Sequence, residues 1–392
     1  MTRLLMRGLP LALWLSLLPT ASSSAQVQHY CGGVTATLVG TSGNDSIRGT
    51  RGNDVIVGRA GTDTIRGLGG DDVICAGAGD DQVVAGKGRD RIDLGAASFE
   101  EEARGGAGRD HIVGSSGYSE VGSHLVGGGG DDTLVGRSES TRTDLVGGAG
   151  DDLLDGPGYA WAIYRHSAAP VDVDLAAGVA HGQGDDVLVD VDGAVGSRGD
   201  DILRGDRGTN FLYGLGGDDI IVGRGDDDWI YAANGSDTVR GGRGADRLDA
   251  GYDEGADLVV GGHGRDLMVD SAGDDSYSGG PGRDTLTFLF SPNPVLIDLS
   301  MGTAAGNGSD RLRSIDLVGG STFGDEIRGS DRAERVFGGA GSDLIDGRGG
   351  DDKVSGEAGD DALDGGPGVD AVNGGDGIDS CANAESSRRC EA

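Results

Sequence analysis

A single aliphatic position recurs along this chain with a period of nine residues, two after an acid and four after a glycine. In the first stretch Ile47, Ile56, Ile65, Ile74, Val83 and Ile92 follow Asp45, Asp54, Asp63, Asp72, Asp81 and Asp90. Those acids follow Gly43, Gly52, Gly61, Gly70, Gly79 and Gly88. The pattern predicts one short strand of three residues per unit, such as Val55-Ile56-Val57. Its centre points in and its neighbours point out. The six residues before it, rich in glycine, can turn sharply. Successive units then lie on opposite sides. Two units make one coil, and the coils stack as two parallel sheets about a thin aliphatic core.

The beat returns downstream. Gly199, Gly208, Gly217, Gly235 and Gly244 keep it, with Asp226 in one glycine slot. Gly255, Gly264, Gly273 and Gly282 follow, and a last run holds Gly341, Gly350, Gly359, Gly368 and Gly377. Single units stand at Gly108, Gly130 and Gly150, and degenerate ones surround Asp325 and Glu334. The acids in register are Asp110, Asp132, Asp152, Asp201, Asp219, Asp228, Asp237, Asp246, Asp257, Asp266, Asp275, Asp284, Asp343, Asp352, Asp361, Asp370 and Asp379. With about two dozen copies, chance is excluded. Two segments, roughly 159–198 and 283–322, break the beat and copy one another at an offset of 124 residues. Pro170 matches Pro294, Gly178 matches Gly302, and Asp186 matches Asp310. The alternation in Val171-Asp-Val-Asp-Leu175 and Val295-Leu-Ile-Asp-Leu299 predicts longer strands there.

Stacked coils stack their carboxylates too. Asp45 should near Asp63, and Asp54 should near Asp72. Such a row is unstable unless something divalent lies between its members. The chain has 80 Gly, 66 acids against 32 Lys plus Arg, and a net charge of −34. Aromatics make up only 4 %. Without counterions such a composition lies near the disordered class. Calcium takes six to eight oxygens from carboxylates and carbonyls, which paired aspartates and glycine loops can supply. Magnesium demands a stricter octahedron, and the thiolate or imidazole clusters of zinc and copper sites are absent. Balancing −34 needs about 17 divalent ions, in line with roughly one ion per pair of same-side turns. The acidity argues against nucleic acid or an anionic membrane as partner.

Arg3 and Arg7, the apolar run from Leu9 to Leu18, and the small residues Ala21 to Ala25 predict a secretory leader cut near Ala25. No later stretch could span a bilayer. In an oxidising compartment Cys31, Cys75, Cys381 and Cys390 should form two disulfides, with three possible pairings. Position favours Cys31–Cys75 and Cys381–Cys390, one at each end. The first would require residues 26–36 to fold back over the first coils as a cap, since 44 residues is more than two coils. Between Gly88 and Gly150 the spacing widens to 20, 22 and 20 residues. Asp90, Asp110, Asp132 and Asp152 should line one side. Irregular turns at Ala96–Arg104, Ser115–Ser123 and Arg137–Thr143 should line the other. They read as loop drift on a robust scaffold or as a partner surface.

No nucleophile elbow, zinc-protease helix motif or P-loop occurs. The six histidines are scattered without ligand spacing. Three Arg-Gly-Asp tripeptides begin at Arg198, Arg204 and Arg224, but this composition generates them freely.

With these units on the page, the chain closely resembles the hemolysin-type calcium-binding repeat, the RTX nonapeptide of parallel β-roll proteins. The clearest stretches are Gly69-Gly-Asp-Asp-Val-Ile74, Gly216-Gly-Asp-Asp-Ile-Ile221 and Gly339-Ala-Gly-Ser-Asp-Leu-Ile345. The resemblance spans most of residues 40–381. It implies an all-β parallel β-roll with calcium in the turns, held by the aspartate of each unit and by loop carbonyls. With its N-terminal leader the pattern is closer to secreted repeat-only proteins than to the family's toxins and proteases.

The expected organisation is a leader at 1–25, a cap at 26–40, repeat arrays at 41–156, 199–286 and 323–381, inserts at 157–198 and 287–322, and a cap at 382–392. The expected metal ligands are the aspartates named above, together with Asp186 and Asp310. The expected function is that of a secreted, non-enzymatic protein that folds on binding many calcium ions. The alternative is a calcium-rigidified adhesin or envelope protein that holds a surface ligand through its irregular turns.

Overall fold

The computed structural model describes residues 28–97, 101–116, 122–137 and 141–390. The expected leader lies outside them. The described chain is a β-solenoid of about 19 coils, without helices.

Each coil places one strand in each of two long parallel sheets. In the first sheet Ile56, Ile74, Ile92, Ile112, Leu134 and Leu154 stack directly on one another. In the second, Ile47, Ile65, Val83, Ala103, Leu125 and Leu145 do the same. From Ile56 onward these side chains are buried, and both columns join one continuous core. One aliphatic per unit suffices because every rung adds its own buried side chain, worth about 1.5–3 kcal/mol, to the rung below.

Many strands exceed the expected three residues. Val55–Ala60 and Val73–Ala78 run for six, and Glu101–Ala107 for seven. Pairing continues past the corner, with Arg59 opposite Gly77 and Ala60 opposite Ala78. The corner residues Arg59 and Gly77 have φ of 91° and 126°. A left-handed corner thus redirects the chain without giving up the ladder.

The alternating segments at 171–175 and 295–299 do not form the longer strands expected of them. Asp172–Asp174 and Leu296–Asp298 have three residues each. What distinguishes the inserts is reversal. Asp172–Asp174, Val179–His181 and Asp185–Val189 form an antiparallel meander inside the first sheet. Its outer strands pair in parallel with Leu153–Asp155 and Ile202–Arg204. The second insert repeats this with Leu296–Asp298, Thr303–Ala305 and Ser309–Arg313. Gly178 and Gly302 make the reversals at φ of 69° and 66°. The second sheet passes each insert unbroken, with Trp161 paired to Gly193 and Thr285 to Leu317.

The N-terminal cap is an antiparallel pair, Tyr30–Cys31 with Val34–Thr35, folded back over the strands from Val55 and Val73. Cys31–Cys75 joins it to the third rung of the first sheet, and Cys381–Cys390 closes the other end. Outside the second sheet, Val146, Trp161, Ile163 and Val195 form a small apolar cluster. Trp161 stacks on Phe211 with centroids 5.5 Å apart, beginning an aromatic ladder that continues through Trp229.

Candidate calcium-binding turns

The residue two before each buried aliphatic ends a turn, and these residues form two rows, one along each side of the solenoid. The first row holds Asp54, Asp72, Asp90, Asp110, Asp132, Asp152 and Asp186. Beyond the first insert it holds Asp201, Asp219, Asp237, Asp257, Asp275 and Asp310, and beyond the second Asp325, Asp343, Asp361 and Asp379. Within each run, one carboxylate oxygen (Oδ1) accepts the backbone N–H of the aspartate one coil earlier, at 2.7–3.1 Å. The second row starts with Asp45, Asp63 and Asp81, continues through Asp228, Asp246, Asp266 and Asp284, and ends with Asp352 and Asp370. Every expected ligand therefore occupies a turn slot. All are buried except Asp45, which is half-buried.

The acid one position earlier behaves differently. Asp71 and Asp218 are exposed and accept N–H groups from the following coil, Arg89 at 2.9 Å and Ser236 at 2.8 Å. The buried acid is thus the second of each pair.

The other carboxylate oxygen (Oδ2) divides the turns into two kinds. In eighteen turns it is buried with no hydrogen-bond partner: those of Asp63, Asp72, Asp81, Asp90, Asp110, Asp132, Asp152, Asp219, Asp228, Asp237, Asp246, Asp266, Asp284, Asp343, Asp352, Asp361, Asp370 and Asp379. In all of them the residue four positions earlier has positive φ, from Arg59 and Leu68 to Leu215, Glu357 and Gly375. We call these turns open. The residue five earlier is glycine in fifteen of them and alanine in three, Ala76, Ala85 and Ala232. A Cβ on Gly214 would lie 2.1 Å from Asp219 Oδ2 and 2.6 Å from the carbonyl oxygen of Ala232. Two acceptor oxygens converge there, an arrangement that fits a hard cation.

In the second kind, a polar side chain four positions earlier caps the slot. Thr41 donates its N–H and hydroxyl to Asp45 at 2.6 and 2.9 Å, and Thr50 does the same for Asp54 at 2.6 and 3.0 Å. Ser197 caps Asp201, Ser321 caps Asp325 and Ser330 caps Glu334 in the same way. The Asp206 N–H caps Asn210 at 2.6 Å. Four further expected ligands have other settings. Tyr164 donates to Asp186 at 3.0 Å, and the single Ser271 hydroxyl lies 3.1 and 2.8 Å from the carboxylates of Asp257 and Asp275. Asp310 lies beside Asp270 and Asp275.

Electrostatics follow burial. Desolvation, reinforced by neighbouring carboxylates and only partly offset by the backbone N–H, pushes Asp72, Asp81 and Asp90 up to about 6. It lifts Asp132 and Asp152 to about 7, and Asp219 and Asp228 to about 8. With no cation present, these groups resist ionisation. A divalent ion would invert that preference.

Four slots were not among the expected ligands: Glu101, Asn210, Asp325 and Glu334. Asp325 and Glu334 stand in the units read as degenerate, and Asn210 falls two after Gly208, whereas Glu101 is found only by counting back two from the buried Ala103. The same count puts Ser123, Thr143 and Ala160 in successive slots of the second row, so its carboxylates lapse there. In the inserts Val171 and Val295 take the slot and donate their N–H to Asp201 and Asp325.

Parallel coils, glycine corners and two rows of half-satisfied aspartates define a β-roll of metal-binding nonapeptides. The family model for the RTX calcium-binding nonapeptide repeat matches residues 39–74, 67–97, 100–118, 123–139, 195–230, 222–251, 252–286, 328–363 and 349–381. That is more than half of the chain, and the chain belongs to this family. Comparison with curated proteins returned no match.

Proposed function

We propose that this is a secreted, non-enzymatic protein that folds as it takes calcium into its turns. The observation that carries the reading is the set of eighteen buried carboxylate oxygens without a partner. Each leaves an acceptor desolvated and unpaired, at about 1–3 kcal/mol or more apiece. A fold with so little apolar core does not offset that many. One calcium per open turn, shared with its neighbours, relieves the deficit, and the sites exist only when coils stack. Binding and folding are therefore one event. Secretion accords with the leader-like N-terminus and the two disulfides.

The test is far-UV circular dichroism of the chain after leader removal, in excess EGTA and then with calcium, together with an ion count by native mass spectrometry. The expected result is a cooperative gain of β signal with a midpoint near 10⁻⁴–10⁻³ M, and many bound ions. A spectrum indifferent to calcium, or uptake of only two or three ions, contradicts the reading.

One observation favours the adhesin alternative. The irregular segments expected at 96–104, 115–123 and 137–143 lie partly outside the described residues, and each falls in the connection from a first-sheet strand (Arg91–Ala96, His111–Val113, Thr133–Val135) to the next second-sheet strand (Glu101–Ala107, Ser123–Gly129, Thr143–Ala149). Calcium-dependent binding to cell-wall glycan or host surface, lost when these turns are shortened, would support it.

A further inference from the structure

At the coil preceding the second insert, one residue breaks the repeat in a way that nothing else in the array does. Position 270 lies five before the slot residue Asp275, where each open turn has glycine or alanine. Here it is aspartate. Asp270 is only 3 % exposed, and neither of its carboxylate oxygens has a hydrogen-bond partner. It faces Asp275 and Asp310, which are 1 % and 3 % exposed. Ligand oxygens of the three lie within 4.8 Å of one another. Among the described residues, none of the three is in an ion pair with Lys, Arg or His.

The turn is rebuilt to admit the third carboxylate. Ser271 and Tyr277 donate their hydroxyls to Asp275 Oδ2, at 2.8 and 3.2 Å. Tyr277 in turn accepts the Ser271 N–H at 3.0 Å. These donors hold Asp275 still and leave both Asp270 oxygens free. The first insert is an internal control. There the same step in the row runs from Asp152 to Asp186, and position 147, five before Asp152, is glycine. Tyr164 caps Asp186, whereas its counterpart at the 124-residue offset is Phe288, which has no hydroxyl for Asp310.

We propose that Asp270, Asp275 and Asp310 together hold one calcium ion in a site distinct from the open turns. This rests on the reading of the turns as calcium-binding. Three formal charges converge in a nearly water-free pocket. An open turn instead offers singly contributed oxygens shared along a row. Calcium affinity rises with ligand charge count and site rigidity. The trio therefore fills before the rows, and it pins the antiparallel meander of the second insert to the coil below.

The test uses the full mature chain stripped of metal, titrated with calcium and followed by calorimetry and native mass spectrometry, in the wild type, Asp270→Asn and Asp270→Gly. Wild type should bind one ion at least tenfold more tightly than the remainder. Both variants should lose that one ion and keep the others at unchanged affinity. Asp270→Gly restores the regular turn, so it stays informative if the asparagine variant folds poorly. Terbium in place of calcium, at one equivalent, should give sensitised emission in wild type that both variants lack. If wild type binds many ions but shows no tight class, or if both variants retain it, the inference fails and the calcium-folding reading stands. Uptake of no calcium at all overturns both.

Discussion

Without metal, this fold should prefer acid. The buried turn carboxylates lie at ordinary values of 3.8 for aspartate and 4.5 for glutamate in the unfolded chain and are raised in the metal-free fold. Glu101 rises to about 8, Asp132, Asp152, Asp257, Asp310 and Asp343 to about 7, Asp219 and Asp228 to about 8, and Asp270 to about 9. In each case burial is the main cause. A group with a raised folded value keeps its proton longer in the fold than in the unfolded chain. Its contribution to stability is complete below about pH 4 and is lost as pH rises through 6 to 9. Each proton retained by the fold alone changes stability by about 1.4 kcal/mol per pH unit. Discounting these nine groups to about three, for the solvent that still reaches them, leaves a slope of about 4 kcal/mol per pH unit. Over two units that matches the whole stability of an ordinary domain.

The assay is far-UV circular dichroism of chain stripped on a chelating resin, between about pH 5.5 and 8.5 at low ionic strength. The β signal should fall as pH rises and return when calcium is added at the alkaline end. Calcium added near pH 7 should release protons, visible as a dependence of calorimetric heat on buffer ionisation. A metal-free chain whose β signal grows with pH, or does not change, would refute the argument that buried carboxylates limit the apo fold.

Two further outcomes follow from the turn geometry. Ile221→Asp should damage calcium-coupled folding most, at about 3 kcal/mol or more, because it places a charge at a core position that is 0 % exposed. Asp219→Ala should come next, since Asp219 links Asp201 to Asp237, and the exposed Asp218→Ala last; a larger loss at Asp218 would show the ligand register to be one residue off. In metal-free chain near neutral pH, amide protection should persist longest in the coil of Ser197 and Asp201 and fall in Ser197→Ala by about 1 kcal/mol; protection highest around Asp219 instead would contradict this.

Much of this was legible in the sequence because the repeat constrains side-chain direction. A period of nine with one aliphatic fixes which residue points inward, and that fixes Asp219 rather than Asp218 as the buried acid. The cysteine pairing was also legible from position, one bond near each end, and it implied the fold-back that carries Cys31 to the rung of Cys75. The inserts were not. Val171-Asp-Val-Asp-Leu175 alternates like a long strand, yet the chain reverses at Gly178, which donates to the Asp174 carbonyl. That turn pays off only against a neighbouring strand, Asp185–Val189, which local pattern does not reveal. The open corners were hidden for another reason. Leu68, Leu215 and Arg224 adopt φ of 87°, 86° and 84°. Side chains that avoid this region carry no signal of it.

The capped turns give the array a direction. Thr41 and Thr50 cap the first two units of the first array, Ser197 and Asp206 those of the second, and Ser321 and Ser330 those of the third. The second and third pairs stand at the same 124-residue offset as the inserts, so the duplicated unit carried its capped coil with it. In these coils protein donors satisfy the oxygen that elsewhere has none. On the proposed calcium-folding reading, each array begins with one coil that needs no ion and continues with coils that do. In a solenoid a new coil is stabilised chiefly by the neighbour already formed. A capped coil supplies the first half of each two-coil calcium site at no cost in desolvated carboxylate, and the ion then needs to order only the coil that follows. The three arrays can start independently, and the first insert places its capped coil directly against the meander that ends the array before it.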